Sequence, residues 1–400
     1  MADLFWPGDH RAGDVFSDAA FLAALVDVEN AWLAALVAAG VAPAEAAADL
    51  TRLVTADDAP ALADGAEGDG NPVIGVVALL RGRAPAAAAR WLHRGLTSQD
   101  VLDTALLLCL RTALDAVDTQ LTTQVATLID LTETHRDAPM LARTLTQPAL
   151  PSTVGMKCAG WLTAILDAAG ALAALPALPV QVGGAAGTMA AATELTGSPT
   201  AAIQLADNLA TALRLAPSTP WHTCRAVITR AGDALVTCCD AWGHLATDIA
   251  TGSRAEIGEF AEGRGGGSST MPHKSNPVLS VLLRRSALTA GPLGATLHAA
   301  SAASVDERSD GGWHAEWATL RTLARRTVVA AAQATDLLTG LRVNADRAAA
   351  NLAAADGVLA EQHSMSELTG RAPSSSYLGA TDHLVDAVLH RARHHLKDSL

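Results

Sequence analysis

Residues 265–277 read GGGSSTMPHKSNP. Three consecutive glycines make a hinge, Ser268 and Ser269 offer adjacent hydroxyls, and Lys274 supplies a cation. Asn276-Pro277 reads as an N-cap followed by proline at a first helical position. Val278, Val281, Leu282 and Leu288 then carry an apolar periodicity onward as a helix. A loop that ends on a helix N-terminus suits closure over an anion, because free N–H groups and the helix dipole both favour negative charge. On composition alone, a solvated Gly/Ser hinge explains the stretch more simply.

On either side the chain reads as long helices. Leu110, Leu114, Val117, Leu121, Val125 and Leu128 recur every three or four residues and line one helix face. Leu235, Cys239, Trp242, Leu245 and Ile249 make a second stripe, and Trp313, Trp317, Leu320, Ala324 and Val328 a third. Breakers separate them: Pro139, Pro148 and Pro151 within 136–153, Pro176 and Pro179 followed by GGAAG at 183–187, then Pro217 and Pro220. No strand–helix alternation and no internal repeat is visible, so GGAAG follows no strand and is not a dinucleotide fingerprint. This predicts an all-α fold: a helical domain over 1–105, a central bundle of long helices over 106–340, and a short C-terminal piece over 341–400.

Composition agrees. Half of the 400 residues are hydrophobic, 17% are charged and only 3% are aromatic, which favours alanine-rich helices over strands. The mean hydropathy of +0.23 is high for a chain whose whole surface meets water. A net charge of −13 argues against nucleic acid or an anionic membrane as partner, and requires any anionic substrate to be held by a local cationic cluster. The cysteines (109, 158, 224, 238 and 239) form no CxxC pair and no metal-ligand spacing, as expected of reduced thiols in a cytoplasmic protein. MADLFWPGDHRAGD has no signal-peptide pattern, and no apolar run free of polar residues reaches the length of a membrane span. His390, His394 and His395 read as a solvated helix end rather than a metal site, and His273 as solvent- or subunit-facing.

Two further segments carry chemistry. WLHRGLTSQDVLDTALLL (91–108) places a helix cap, Thr-Ser-Gln-Asp, before an apolar run, and a capped N-terminus is also an anion site. ARTLTQPALPSTVGMK (142–157) is a proline-punctuated segment with Arg143 and Lys157 as cations. The three segments together resemble the fumarase/aspartase superfamily. The 265–277 stretch matches its GSSxMPxKxNP signature at Gly267, Ser268, Ser269, Met271, Pro272, Lys274, Asn276 and Pro277. The second segment matches the TSxD region at His93, Thr97, Ser98 and Asp100. The third matches GRTHxQxAxPxTxGxK at Arg143, Thr144, Gln147, Pro151, Thr153, Gly155 and Lys157.

The resemblance implies a three-domain fold whose central bundle joins a twenty-helix core in a homotetramer, with each active site shared between subunits. It implies Ser268 as catalytic acid–base. For substrate binding it implies His93, Thr97, Ser98, Asp100, Arg143, Thr144, Gln147, Ser269, Met271, Lys274 and Asn276. It implies no cofactor, no metal, and a small polycarboxylate as substrate.

One position departs from the superfamily pattern. Leu145 stands where the lyases carry a histidine. Hydroxide and amines are too basic to leave without a proton donor, whereas a carboxylate leaves unaided. Loss of the histidine favours a reaction that makes or breaks a bond to carboxylate oxygen, and the sequence resembles the muconate cycloisomerase subfamily, which also lacks that histidine. GNPVIGVV (70–77), GGAAGTMA (183–190), PWHTCRAVI (220–228), EIGEF (256–260) and GGWHAEWATL (311–320) carry the same likeness. The activity implied is addition of a carboxylate of 3-carboxy-cis,cis-muconate across a double bond to give 4-carboxymuconolactone. Ser275 replaces the usual arginine of MPHKRNP, and Ala226 the usual aspartate after Arg225. These changes keep open a paralogue acting on another polycarboxylate. Separate alternatives are an adenylosuccinate-lyase-like C–N lyase using His93 or His222, and an inactive structural bundle, against which the intact Ser268, Lys274 and Asn276 count.

Overall fold

The computed structural model describes residues 3–263, 265–267, 269–271 and 274–398. In chain order the helices are α1 (Asp18–Ala38), α2 (Ala59–Asp69), α3 (Val73–Arg83), α4 (Ala86–Ala89) and α5 (Ser98–Thr134). Strands β1 (Pro139–Thr144) and β2 (Gln147–Thr153) follow, then α6 (Val154–Ala173), α7 (Ala190–Thr196), α8 (Pro199–Leu213) and α9 (Ala226–Gly252). A short strand β3 (Phe260–Ala261) precedes α10 (Val278–Ala302) and α11 (Gly311–Thr339), and β4 (Arg342–Val343) precedes α12 (Ala345–Ala353), α13 (Ala360–Thr369) and α14 (Thr381–Asp398).

The chain forms two compact units. Unit 1 holds Met1–Ala116, Ala174–Asp233 and Pro292–Val328; unit 2 holds Val117–Ala173, Ala234–Gly291 and Val329–Leu400. Helices α5, α9, α10 and α11 each give one stretch to either unit, and in α10 the division falls at Pro292. All three predicted stripes are helical and mostly buried, with Leu114 and Trp317 half-buried. Leu110, Val117, Leu121, Val125 and Leu128 are wholly buried, as are Leu235, Trp242, Leu245 and Ile249.

Within unit 1, α1 packs on α8. Ser17 caps α1 by accepting from Ala20 N–H at 3.0 Å. By length and composition α1 would cross a membrane; here it is core, with Leu25, Val28, Trp32, Leu33 and Leu36 at 1% exposure or less. Within unit 2, α14 lays Val385, Leu389 and Ala392 against α6, and each large apolar side chain so buried stabilises by about 1.5–3 kcal/mol. The buried Trp242 indole donates to Gln124 Oε1 at 2.8 Å, and the Gln124 amide donates to Ala331 O and Thr335 Oγ1, so no polar group in this knot is stranded.

The segment read as a breaker between 136 and 153 is instead an antiparallel hairpin, β1 with β2, bulged between Leu141 and Arg143. Thr144 pairs with Gln147, leaving a two-residue turn, Leu145-Thr146, with φ of 48° and 71°. Both lie in the left-handed region that such a turn requires and that leucine and threonine resist. A second ribbon joins β3 to β4.

Candidate active-site elements

In unit 1 the start of α5 is organised by one carboxylate. Asp100 is fully buried and its two oxygens accept from five donors. Oδ1 takes Gly183 N–H and the His222 Nε2–H at 2.9 Å each, and the Gln181 amide at 3.4 Å. Oδ2 takes Gly184 N–H at 2.9 Å and Thr97 N–H at 3.0 Å. The last is half of a capping box, with Asp at the third helical position reaching back to the cap. Asp100 thus faces protein donors rather than a substrate, and it ties the helix start to the 181–187 loop. Gly183 is required there, because a Cβ would lie 2.5 Å from His222 Cε1 and 2.9 Å from Pro220 Cβ. His222, buried at 4% exposure, is accordingly a strut of this loop.

Thr97 and Ser98 are half-buried at the mouth of the same helix. Arg308, in the loop before α11, donates through Nη2 to Thr97 Oγ1 at 2.5 Å and to Ala185 O at 3.4 Å. A guanidinium, two hydroxyl residues and a helix N-terminus therefore converge, which is the chemistry that holds a carboxylate. His93 lies four residues before Thr97 with φ 60°, its Nδ1 2.5 Å from Glu29 Oε1.

One turn further along α5 lies a buried ionic cluster. Arg225 is clamped between Asp103 (2.6 and 3.0 Å) and Glu316 (2.6 to 3.1 Å), and Trp313 Nε1 donates to Asp103 at 2.9 Å. Burial pushes the Glu316 carboxyl up, against the pull of Arg225. For Arg225 burial opposes the charge, but the two carboxylates outweigh it and the net shift is upward.

In unit 2 the hairpin carries Arg143, Thr144 and Gln147. Arg143 donates through both terminal nitrogens to Glu259, at 3.0 and 2.8 Å, and Asn351 donates to the same carboxylate at 2.8 Å. The guanidinium expected to meet substrate is therefore engaged by a buried protein carboxylate, fastening the hairpin to the EIGEF segment. Thr144 and Gln147 are exposed, and Leu145 at the apex is 96% exposed. Lys157 pairs with Asp248 at 3.3 Å.

The 265–277 loop is also in unit 2. Ser268, Pro272 and His273 lie outside the described residues. Gly266 and Asn276 exchange backbone hydrogen bonds at 2.8 Å in both directions, and the Asn276 side-chain amide donates to Gly267 O at 3.2 Å. Expected as a helix cap, Asn276 instead closes the base of the loop, and α10 begins at Val278. Gly266 serves close approach here, since a Cβ would meet Val278 Cγ2 at 2.1 Å. Ser269, Met271 and Lys274 are exposed. The N–H groups of Leu279 and Ser280 donate to the buried Glu262 at 3.0 and 2.7 Å, and the Ser280 hydroxyl donates at 2.6 Å. This corrects one expectation: a protein carboxylate already occupies the anion-binding end of α10.

The structure thus gathers His93, Thr97, Ser98 and Asp100 on one segment of unit 1. In unit 2 it gathers Arg143, Thr144 and Gln147 on a hairpin, and Ser269, Met271, Lys274 and Asn276 on a loop. Arg308, Glu29, Glu259 and Glu262 were missed from sequence. Only Glu259 had a signal there, as part of EIGEF.

Comparison with known proteins identifies the scaffold. A family model described as lyase matches residues 15–290. Nitrosuccinate lyase of Streptomyces davaonensis is 42% identical over 383 residues, covering 92% of this chain and 80% of that protein. The 3-carboxy-cis,cis-muconate cycloisomerase of Pseudomonas aeruginosa is 41% identical over 392 residues, covering 94% and 82%. The crystal structure of 3-carboxy-cis,cis-muconate lactonizing enzyme from Pseudomonas putida superposes with a TM-score of 0.81 at 34% identity, covering 96% of this chain and 86% of that one. On the family model, the relatives and the shared fold, the chain belongs to the lyase family of the fumarase/aspartase superfamily.

Proposed function

We propose that this enzyme converts 3-carboxy-cis,cis-muconate to 4-carboxymuconolactone, with Ser268 moving the proton at carbon. The observation that carries the reading is Leu145, a side chain that cannot donate a proton, at the exposed apex of the hairpin. A carboxylate oxygen adds to one end of the conjugated double bond, and the electron pair moves to the adjacent carbon and into its carboxylate. The Ser268 hydroxyl then gives its proton to that carbon, and solvent restores the hydroxyl. Lys274 and Asn276 stabilise the charge that develops in between. The end of α10 does not share this task, because Glu262 holds its N–H groups. Thr97, Ser98 and Arg308 support a second carboxylate subsite.

The active enzyme is proposed to be a homotetramer with composite sites. Support comes from the exposed apolar face of α10, where Val278, Val281 and Leu288 are 39%, 54% and 77% accessible in a single chain. The exposed Leu145 at the apex of the hairpin supports it as well.

A second reading is favoured by the 42% identity to nitrosuccinate lyase: elimination of nitrite from a nitro-substituted dicarboxylate. Nitrite, like carboxylate, is a weak enough base to leave without a proton donor, so Leu145 suits both reactions. Purified enzyme is mixed with each compound in turn, following loss of the diene ultraviolet absorbance or release of nitrite. Diene loss supports the first reading; nitrite release without diene loss replaces it with the second. Ser268→Ala should lower kcat by about 10²- to 10⁴-fold on the true substrate, and turnover at the wild-type rate in a folded variant would remove Ser268 from the mechanism.

A further inference from the structure

We propose that Glu29 is the positioning residue that fixes the ring of His93, so that Nε2 becomes the atom presented to a substrate carboxylate. The inference rests on the reading above, in which Thr97, Ser98 and Arg308 form one carboxylate subsite, and adds His93 to it. The observations behind it are all in unit 1.

Glu29 lies in the middle of α1 and is wholly buried, although its neighbours along the helix are core residues such as Val28 and Trp32. A carboxylate there is costly unless paired. Its Oε1 is 2.5 Å from His93 Nδ1, while Oε2 has no hydrogen-bond partner among the described residues. Among the described residues one ring nitrogen is thus the sole hydrogen-bond partner of this buried acid. A helix interior that needed only packing would carry leucine at this position.

His93 itself has a φ of 60°, a region uncommon for non-glycine residues although histidine enters it more readily than most. The carbonyls on either side of it are pinned. Trp32 Nε1 donates to Arg94 O at 2.7 Å, and Arg81 donates to Leu92 O at 2.8 Å. Glu29 and Trp32 stand three residues apart on α1, so one face of one helix grips both the ring and the backbone beside it. These contacts hold the ring and the backbone on both sides of it in one place.

The chemical consequence follows from the donor inventory of histidine. A carboxylate accepts only, so Nδ1 carries the hydrogen and the tautomer is set by Glu29. Nε2 is then the ring atom left for substrate, at a fixed orientation four residues before Thr97. A carboxylate is itself only an acceptor, so to meet it Nε2 must carry a hydrogen as well; the substrate-bound ring is then the imidazolium, whose charge Glu29 balances.

The test uses the full-length enzyme labelled with ¹⁵N-histidine, without substrate, and His93→Gln identifies the His93 ring signals by their loss. In the wild type Nδ1 should bear a slowly exchanging hydrogen. In Glu29→Leu that signature should vanish, and Glu29→Gln, whose amide oxygen still accepts, should restore it. With 3-carboxy-cis,cis-muconate, Glu29→Leu should raise KM about 10- to 100-fold with kcat little changed, and Glu29→Leu added to His93→Gln should cost nothing further. An unaltered His93 spectrum in Glu29→Leu, or losses that add in the double variant, would overturn the proposal. Should Glu29→Leu fail to fold, Glu29→Asp withdraws the acceptor by one methylene and should lose the same signature. If the enzyme is inert toward the muconate, the assigned activity fails, and the ring spectra still decide the role of Glu29.

Discussion

Arg225 shows how a single side chain commits this fold. It is 1% exposed, sits 4.7 Å from the Trp221 ring, and neutralises two carboxylates that are themselves buried. Replacing it by methionine keeps volume but strands Asp103 and Glu316, which should cost about 3–5 kcal/mol by urea unfolding. The double variant Arg225→Met with Glu316→Leu should recover part of that loss, because one stranded charge is removed with its partner. No recovery would mean that packing rather than charge pairing dominates the site. None of this was readable beforehand. PWHTCRAVI was visible as a family-like run, but Arg225 and Glu316 are 91 residues apart and nothing local to either announces the pairing.

At the scale of elements, legibility followed periodicity. The stripes of α5, α9 and α11 were plain because a helix repeats its buried face every three or four residues. The β1–β2 hairpin was hidden because Pro148 and Pro151 sit within β2, and its turn uses Leu145-Thr146 rather than the asparagine-glycine pair that signals such a turn. The anion-binding character of α10 was misread for a related reason. Glu262, which fills it, comes from a segment 17 residues earlier. The 181–187 loop offers the test at this scale. Gly183→Ala would push a methyl into His222 and Pro220, lengthening the hydrogen bond to Asp100. It should destabilise by about 1–3 kcal/mol and raise KM, measured by thermal unfolding and steady-state kinetics. An unchanged KM in a destabilised variant would separate the loop from the site.

For the whole molecule, the positive mean hydropathy has a location. The apolar face of α10 that carries Val281 and Leu288 meets no core in the single chain. Leu288→Asp should therefore leave a lone chain undisturbed, yet convert a tetramer to smaller species in light scattering and abolish activity with it. A variant that stays tetrameric would place the interface elsewhere. The left-handed turn at the tip of the hairpin carries a further consequence. Histidine tolerates that backbone region better than leucine does, so the tip is a socket that accepts either residue without disturbing what lies beneath. On the proposed reading, in which Leu145 restricts the enzyme to weakly basic departing groups, a histidine at this tip would supply a proton donor for more basic ones.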